Sequence, residues 1–239
     1  TGLSSDGNIT VDISTHDGSA GGLKLGGTLV TSTATELNYL DGATVVIPGK
    51  VEGTNFTDSL LVGHSTTGTL SSASENTGVG IAALDAITSG DSNTAVGNNA
   101  GTAITSGGSN VVLGNGAGKA LTDTSNNIGI GDTALYKCDG AGNVGVGKNA
   151  LFNAVVADYN IAVGYQSGDN ITTGSGNVVI GKADVSSATG DDQLSISDGE
   201  DGSVVWMTGD SSGNVIHAGT THSAGGQLTT TGKALVMGF

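Results

Sequence analysis

The residues able to do chemistry are few and dispersed. Four histidines, His16, His64, His217 and His222, are scattered along the chain. His217 and His222 lie five apart in a strand-and-loop context with no carboxylate at ligand spacing, and read as surface residues. Cys138 is the only cysteine, which excludes a disulfide framework and any multi-cysteine metal site. No GxSxG nucleophile word occurs. GNGAGK at Gly114–Lys119 has the look of a phosphate loop, but no GK[ST] follows and its glycines fall on repeat positions. The densest acidic group, Asp191, Asp192, Asp198, Glu200 and Asp201, places five carboxylates in eleven residues. It offers the oxygens that calcium wants, without the spacing of a known calcium loop. It reads as a solvated acidic turn, with calcium binding left open. Glycan cleavage by paired carboxylates works in a groove, usually beside aromatic platforms; here Glu occurs four times and the repeats expose almost no aromatics. No catalytic residue, no metal and no cofactor is therefore expected.

Composition narrows the class. Of 239 residues 43 are glycine and one is proline, with one Trp, four Tyr and three Phe. So few aromatics are thin for an ordinary globular core and suit stacked thin layers of Val, Ile, Leu, Ala and Thr. Hydrophobic residues at 36% are too many for a polar linker. No apolar run reaches the length of a membrane helix, so no membrane insertion is expected. A net charge of −15, with seven Lys and Arg in all, argues against nucleic acid and anionic membrane surfaces. Thr1 is not a start methionine, and no charged-then-apolar leader follows it, so a fragment or a cleaved mature form is expected.

A five-residue word recurs in nearly constant phase. It begins at Asn76, Asn93, Asn110, Asn127, Asn143, Asn160 and Asn177, as NTGVG, NTAVG, NVVLG, NIGIG, NVGVG, NIAVG and NVVIG. The steps are 17, 17, 17, 16, 17 and 17 residues, and a degenerate copy, Ser59 to Gly63, lies one step upstream. Seven residues after the Asn stands a small column, Ala83, Ala100, Ala117, Ala134, Ala150 and Ser167, broken by Asp184. Eleven after it stand Ile87, Ile104, Leu121, Cys138, Ala154 and Ile171. Cys138 replaces an aliphatic there and reads as a small buried hydrophobe.

Such a period is too short for helical hairpins or a leucine-rich repeat and suits one coil of a β-solenoid. Each coil adds roughly 4.8 Å, the strand spacing. The expected fold is all-β: a short-coil β-solenoid, or β-roll, of 16–17-residue repeats, flanked by β-rich segments. The Asn column predicts a structural amide ladder, in which an interior member such as Asn127 has two neighbours and an end member such as Asn76 has one. Gly80, Gly97, Gly114, Gly131, Gly147, Gly164 and Gly181 mark the bend after each strand. In NTAVG the second and fourth positions share one face and the third points the other way. A coil this slender encloses little volume, so several chains, preferably three, are expected to pack with the small third-position column, Gly78, Ala95, Gly129, Gly145 and Ala162, at a common axis.

NTAVGNNAG, NVGVGKNAL and NIAVGYQSG resemble head repeats of trimeric autotransporter adhesins, and still more the repeats of tail fibres and related virion fibres of marine phages. GTLVTSTATELNYLDGAT at Gly27–Thr44 is similar to a connector of cyanobacterial phage fibre proteins, and TTTGKALVMGF at Thr229–Phe239 to their ends. Repeat words cover about half of the chain. The resemblance implies an intertwined parallel homotrimer on the virion surface, a structural and adhesive tail fibre or spike that mediates host attachment without catalysis. Its implied partners are other virion or tail proteins and a host cell-surface glycan or protein. The alternatives are the head of a bacterial trimeric surface adhesin and a fibre-borne glycan depolymerase. Signal peptide and membrane-anchor strands of an autotransporter are not recognised here, nor is a chaperone domain.

Three segments follow. Residues 1–58 form a strand-rich connector with NITVDIS, GLKLGGTLV and ATVVIPG as strand words and TATELNYLDG as a helix-like turn, capped by Thr35 and stopped by Gly42, which in a trimer would set Leu37 and Leu40 on the axis. Residues 59–190 form the β-roll. Residues 191–239 lose the period and read as a cap or tip, with SVVWMTGDSSGNVIHAG as a hairpin turning at DSSG. Trp206 is expected as a plug over the last coil, with a receptor contact as the alternative. Tyr136, Tyr159 and Tyr165 are further outward candidates.

Overall fold

The computed structural model describes residues 24–25, 28–29, 49–53, 55–63, 67–217, 220–222 and 228–230. The chain divides into two compact units, Thr1–Val46 and Ile47–Phe239. In the first, β1 (Lys24–Leu25) pairs antiparallel with β2 (Thr28–Leu29). The words NITVDIS and TATELNYLDG lie outside the described residues, with Thr35, Leu37, Leu40 and Gly42; so do His16, His64 and the end from residue 231.

The second unit opens with β3 (Gly49–Gly53), β4 (Phe56–Val62) and β5 (Ala73–Ser74). Seven three-residue strands follow, one per repeat word: β6 (Thr77–Val79), β7 (Thr94–Val96), β8 (Val111–Leu113), β9 (Ile128–Ile130), β10 (Val144–Val146), β11 (Ile161–Val163) and β12 (Val178–Ile180). Then comes β13 (Leu194–Ser197). From β4 through β6 to β13 the strands pair parallel in chain order, each residue opposite its repeat mate, as Gly78 opposite Ala95 and Val144 opposite Ile161. Nine parallel strands separated by eight coils make a β-solenoid. No helix occurs among the described residues, and the protein is all-β. The degenerate copy at Ser59 to Gly63 is the first strand of the stack, Leu60 pairing with Thr77.

Glycine is required at the bend after each strand. Gly97 has φ +135°, and a Cβ on it would lie 2.4 Å from the carbonyl oxygen of Gly114 in the next coil. The chain reverses there because two bends are stacked closer than any side chain permits. Beyond the bend the second segment of the six coils headed by Asn76 to Asn160 is a six-residue turn, as at 81–86. It still bonds coil to coil: Leu84 N donates to Ala100 O, and Thr88 N to Thr105 O on the third side.

The orientation of the strands reverses one expectation. The small third-position column faces the interior of its own coil: Ala95, Val112, Ala162 and Val179 are fully buried. It is small because the turn eight residues after the Asn fills the same space. Where the strand carries Gly78, Gly129 or Gly145, the turn carries Leu84, Leu135 or Leu151; where it carries Val112, the turn carries Gly118. A Cβ on Gly118 would lie 2.5 Å from Val112 Cγ1. The columns exchange volume, as close packing of so thin a core demands. The second and fourth positions face outward instead, and Leu60, Val96, Ile130, Val163 and Ile180 are exposed.

The stack also runs past residue 190. Leu194, Ser195 and Ile196 pair parallel with Val178, Val179 and Ile180. Antiparallel strands then close both ends. β3 lies against β4, so residues 47–58 belong with the solenoid unit. At the other end β14 (Val205–Gly209), β15 (Val215–His217), β16 (Thr220–His222) and β17 (Leu228–Thr230) follow β13 in order. β14 and β15 form the hairpin around the DSSG turn. Covering the last parallel strand this way blunts an edge that would otherwise pair with another chain.

Candidate functional site

The seven ladder asparagines are fully buried. Each Oδ1 accepts two hydrogen bonds from the next coil: Asn93 N and Asn93 Nδ2 both donate to Asn76 Oδ1 at 3.0 Å. The second amide hydrogen bonds a carbonyl across the same coil, Asn93 Nδ2 to Gly107 O at 2.9 Å and Asn160 Nδ2 to Gly174 O at 3.0 Å. Asn127 heads the short coil that leads to Asn143 and donates to Ser125 O instead. Stacking and coil closure thus share one side chain, and an amide supplies the donors and the acceptor that both need.

Two members escaped the sequence reading. Ser59 Oγ accepts Asn76 N at 2.8 Å, so Asn76 is not the end of the column. Gln193 extends it: its N and Nε2 donate to Asn177 Oδ1 at 2.8 and 3.2 Å, while its Oε1 turns to Ser186 Oγ and Ser187 N. Ser and Gln break the Asn word; the signals were the 16-residue step from Asn177 and the alternation Leu194-Ser195-Ile196 after it.

The carboxylates of 191–201 do not converge. Asp191 Oδ1 accepts Ser175 N at 2.8 Å, and Asp201 Oδ1 accepts Ser203 N at 2.9 Å. Asp198 accepts the backbone N–H groups of Glu200, Asp201 and Gly202 on Oδ1 and that of Val204 on Oδ2. Those bonds, Gly202 first, hold its pKa below the usual carboxylate range. The group ties a loop; among the described residues no three His, Cys, Asp or Glu side chains are placed to share a metal ion. Cys138 is buried in the plus-eleven column, and desolvation pushes its thiol up to about 11. His217 is exposed.

One flank is chemically distinct. After the bend glycine the turn sets out two columns, Asn99, Gly116, Thr133, Asn149 and Gln166 on one side, and Lys119, Tyr136, Phe152 and Asp169 on the other, all partly exposed except the buried Gly116. The rings of Tyr136 and Phe152 stack in parallel, 5.0 Å apart at 3°. Lys119 Nζ lies over the Tyr136 ring and donates to its hydroxyl at 3.2 Å. Tyr136 is therefore half-buried, whereas Tyr159 and Tyr165 are exposed. Beside them Lys148 pairs with Asp132 at 3.4 Å.

Trp206 is not a plug. It is 53% exposed, beside exposed Val204 and Val205. Ile196 pairs with Met207 and Ser197 with Val205, so Trp206 is the extra residue of a β-bulge and has no strand partner. Bulges re-aim side chains, and this one turns the only tryptophan outward.

The fold and these sites define a capped β-solenoid held by a buried amide ladder. No family model, no curated protein and no solved structure matches the chain.

Proposed function

We propose that the chain is a structural and adhesive fibre protein of a phage virion, a tail fibre or spike that acts in host attachment as a parallel homotrimer. The observation that carries this reading is the outward face of the parallel sheet. Val96, Ile128, Ile130, Ile161, Val163 and Ile180 stand exposed in two straight columns. Monomeric soluble proteins rarely expose so continuous an apolar surface. A copy in the same orientation presents identical columns at the same spacing, so the faces meet coil by coil about an axis along the stack. The axial contact is thus the second and fourth strand positions. The resemblance of the repeat words and connector to marine phage fibres supplies the setting. A fibre needs stiffness along one direction, which the amide ladder provides, and a tip that differs from its shaft, which the antiparallel end with Trp206 provides.

Native mass spectrometry tests the assembly. A trimer is expected at micromolar concentration, and Val96→Asp with Ile130→Asp is expected to give folded monomers; a wild-type monomer overturns the reading. Antibodies against the chain are expected to label intact virions of the phage that encodes it, and purified virions lacking the chain would overturn the virion assignment. The head of a bacterial surface adhesin, the alternative with the same geometry, predicts label on bacterial cells instead.

A further inference from the structure

The flank that carries Tyr136 and Phe152 holds two hollows on one pair of columns. The first, about 390 Å³, lies among Asn99, Gly116, Thr133, Tyr136 and Phe152. The second, about 400 Å³, lies among Gln166, Asp169, Lys182, Asp184 and Asp201, where the last coils meet the antiparallel end. Phe152 and Asp169 occupy the same column in successive coils, so the hollows are two widenings of one furrow along the stack. Gly116 opens the first: a Cβ there would lie 3.3 Å from the Tyr136 ring, and the neighbouring coils carry Asn99 and Thr133 in its place.

We propose that this furrow seats an uncharged polysaccharide chain, one sugar residue per coil. The inference rests on the attachment reading and names its ligand class. Three observations carry it. The furrow repeats at the strand spacing of roughly 4.8 Å, close to the length of one pyranose residue in an extended chain. One wall is amide and hydroxyl, groups that both donate and accept and so match vicinal sugar hydroxyls, and the Gln166 amide makes no hydrogen bond of its own among the described residues. The other wall offers the rims of two stacked rings, whose faces are taken by each other and by Lys119 and Lys137, so the strip contributes apolar carbon for dispersion contact with a sugar and no stacking platform.

Charge selects an uncharged ligand. Lys119, Lys148 and Lys182 stand along the furrow against Asp132, Asp169, Asp184 and Asp201, so this flank carries one net negative charge in a chain of net charge −15 and is close to balanced. A polyanion is repelled by the whole molecule, and the three lysines leave the furrow less attractive to a polycation than the rest of this acidic surface.

The test is titration calorimetry of the full chain against uncharged α- and β-linked hexose oligosaccharides of two to eight units, with a uronate oligosaccharide as counter-panel. Affinity for one uncharged series is expected to rise with length and level off at about five units, the number of column residues from Asn99 to Gln166. Gly116→Asn fills the hollow at a position where Asn99 and Asn149 already show that the backbone accepts Asn, and is expected to weaken binding at least tenfold with melting unchanged. No binding of any uncharged series, preference for the uronate chain, or wild-type affinity in Gly116→Asn overturns the proposal. Competition for adsorption separates the two readings. Gly116→Asn that blocks adsorption of virions to host cells as well as the wild type leaves attachment standing and removes the furrow, whereas wild-type chain that blocks nothing removes attachment itself.

Discussion

Leu135 occupies the space that Gly129 leaves: a Cβ on Gly129 would lie 3.2 Å from Leu135 Cδ1. Leu135 does so at φ 55°, in the left-handed region that costs a non-glycine residue about 1–2 kcal/mol. Packing therefore outweighs backbone strain at this position. Leu135→Gly relieves the strain but leaves a cavity, and a buried leucine truncation costs about 2–5 kcal/mol, so a net loss is expected. Gly129→Val alone overpacks by about 1–3 kcal/mol. The double variant recreates the arrangement of Val112 with Gly118 and is expected to recover most of both losses. Chemical denaturation of the four proteins checks this, and strictly additive losses would refute the exchange of volume between columns.

The ladder makes a different demand. Asn127→Ala removes the acceptor of Asn143 N and Asn143 Nδ2, both buried, at about 1–3 kcal/mol for each group left unpaired. Asn76→Ala removes the same kind of acceptor from Asn93 and is expected to cost a similar amount, because Ser59 already extends the column beyond it. Gln193 accepts nothing from a further coil, and the groups that do donate to it, Ser186 Oγ and Ser187 N, are only partly buried and can turn to water, so Gln193→Ala is expected to cost least of the three. Thermal melts that rank Gln193→Ala as the most damaging contradict this account of the ladder.

What the sequence displayed and what it hid have physical causes. Period, strand, bend and amide column are legible because each coil must repeat the same hydrogen bonds, so identity at Asn and Gly is imposed at every step. The direction of the strand was not legible. Gly78 and Ala95 are compatible with a close approach to another chain or to the coil's own Leu84, and only the pairing, six residues apart, of Gly with Leu and of Val112 with Gly118 decides between them. The ends were concealed because Ser59 and Gln193 satisfy the ladder with other side chains. The furrow was concealed because Gly116, Tyr136 and Phe152 stand in columns whose residue type changes from one coil to the next.

Asp198 makes the loop of residues 198–204 sensitive to acid. Backbone N–H groups, Gly202 foremost, hold its carboxyl below the ordinary range, so the folded chain binds the ionised form better than the unfolded chain does. That contribution is fully present above the unfolded carboxylate value of about 4 and is lost as pH falls through the lower folded value. Asp169 acts in the opposite sense: burial, then the neighbouring Asp184, raises its pKa, so protonation there adds stability as pH falls through the raised value. Hydrogen-exchange protection at Gly202 and Val204 is expected to fall in strong acid while that of Asn110 N in the ladder persists. Asp198→Ala is expected to lose loop protection already at neutral pH. Equal protection at Gly202 in the variant and the wild type would show that the carboxylate does not hold the loop.

Trp206 separates stability from recognition. A tryptophan filling the end of the last coil would contribute several kcal/mol, and truncating it would cost about 3–5 kcal/mol. The residue is instead 53% exposed at the bulge opposite Ile196 and Ser197, with no strand partner, and its neighbours Val204 and Val205 are exposed with it. Surface substitutions away from special features usually stay within about 0.5 kcal/mol of neutral. Trp206→Ala is therefore expected to leave the melting temperature essentially where it was. An exposed tryptophan flanked by valines is the kind of residue that dominates a contact once a partner desolvates it. If the proposed attachment role holds, binding of fluorescently labelled protein to cells of the host is accordingly expected to fall at least tenfold in Trp206→Ala, while Trp206→Phe, which keeps an aromatic anchor, retains part of it. If binding is unchanged in both variants, attachment does not run through this end of the solenoid.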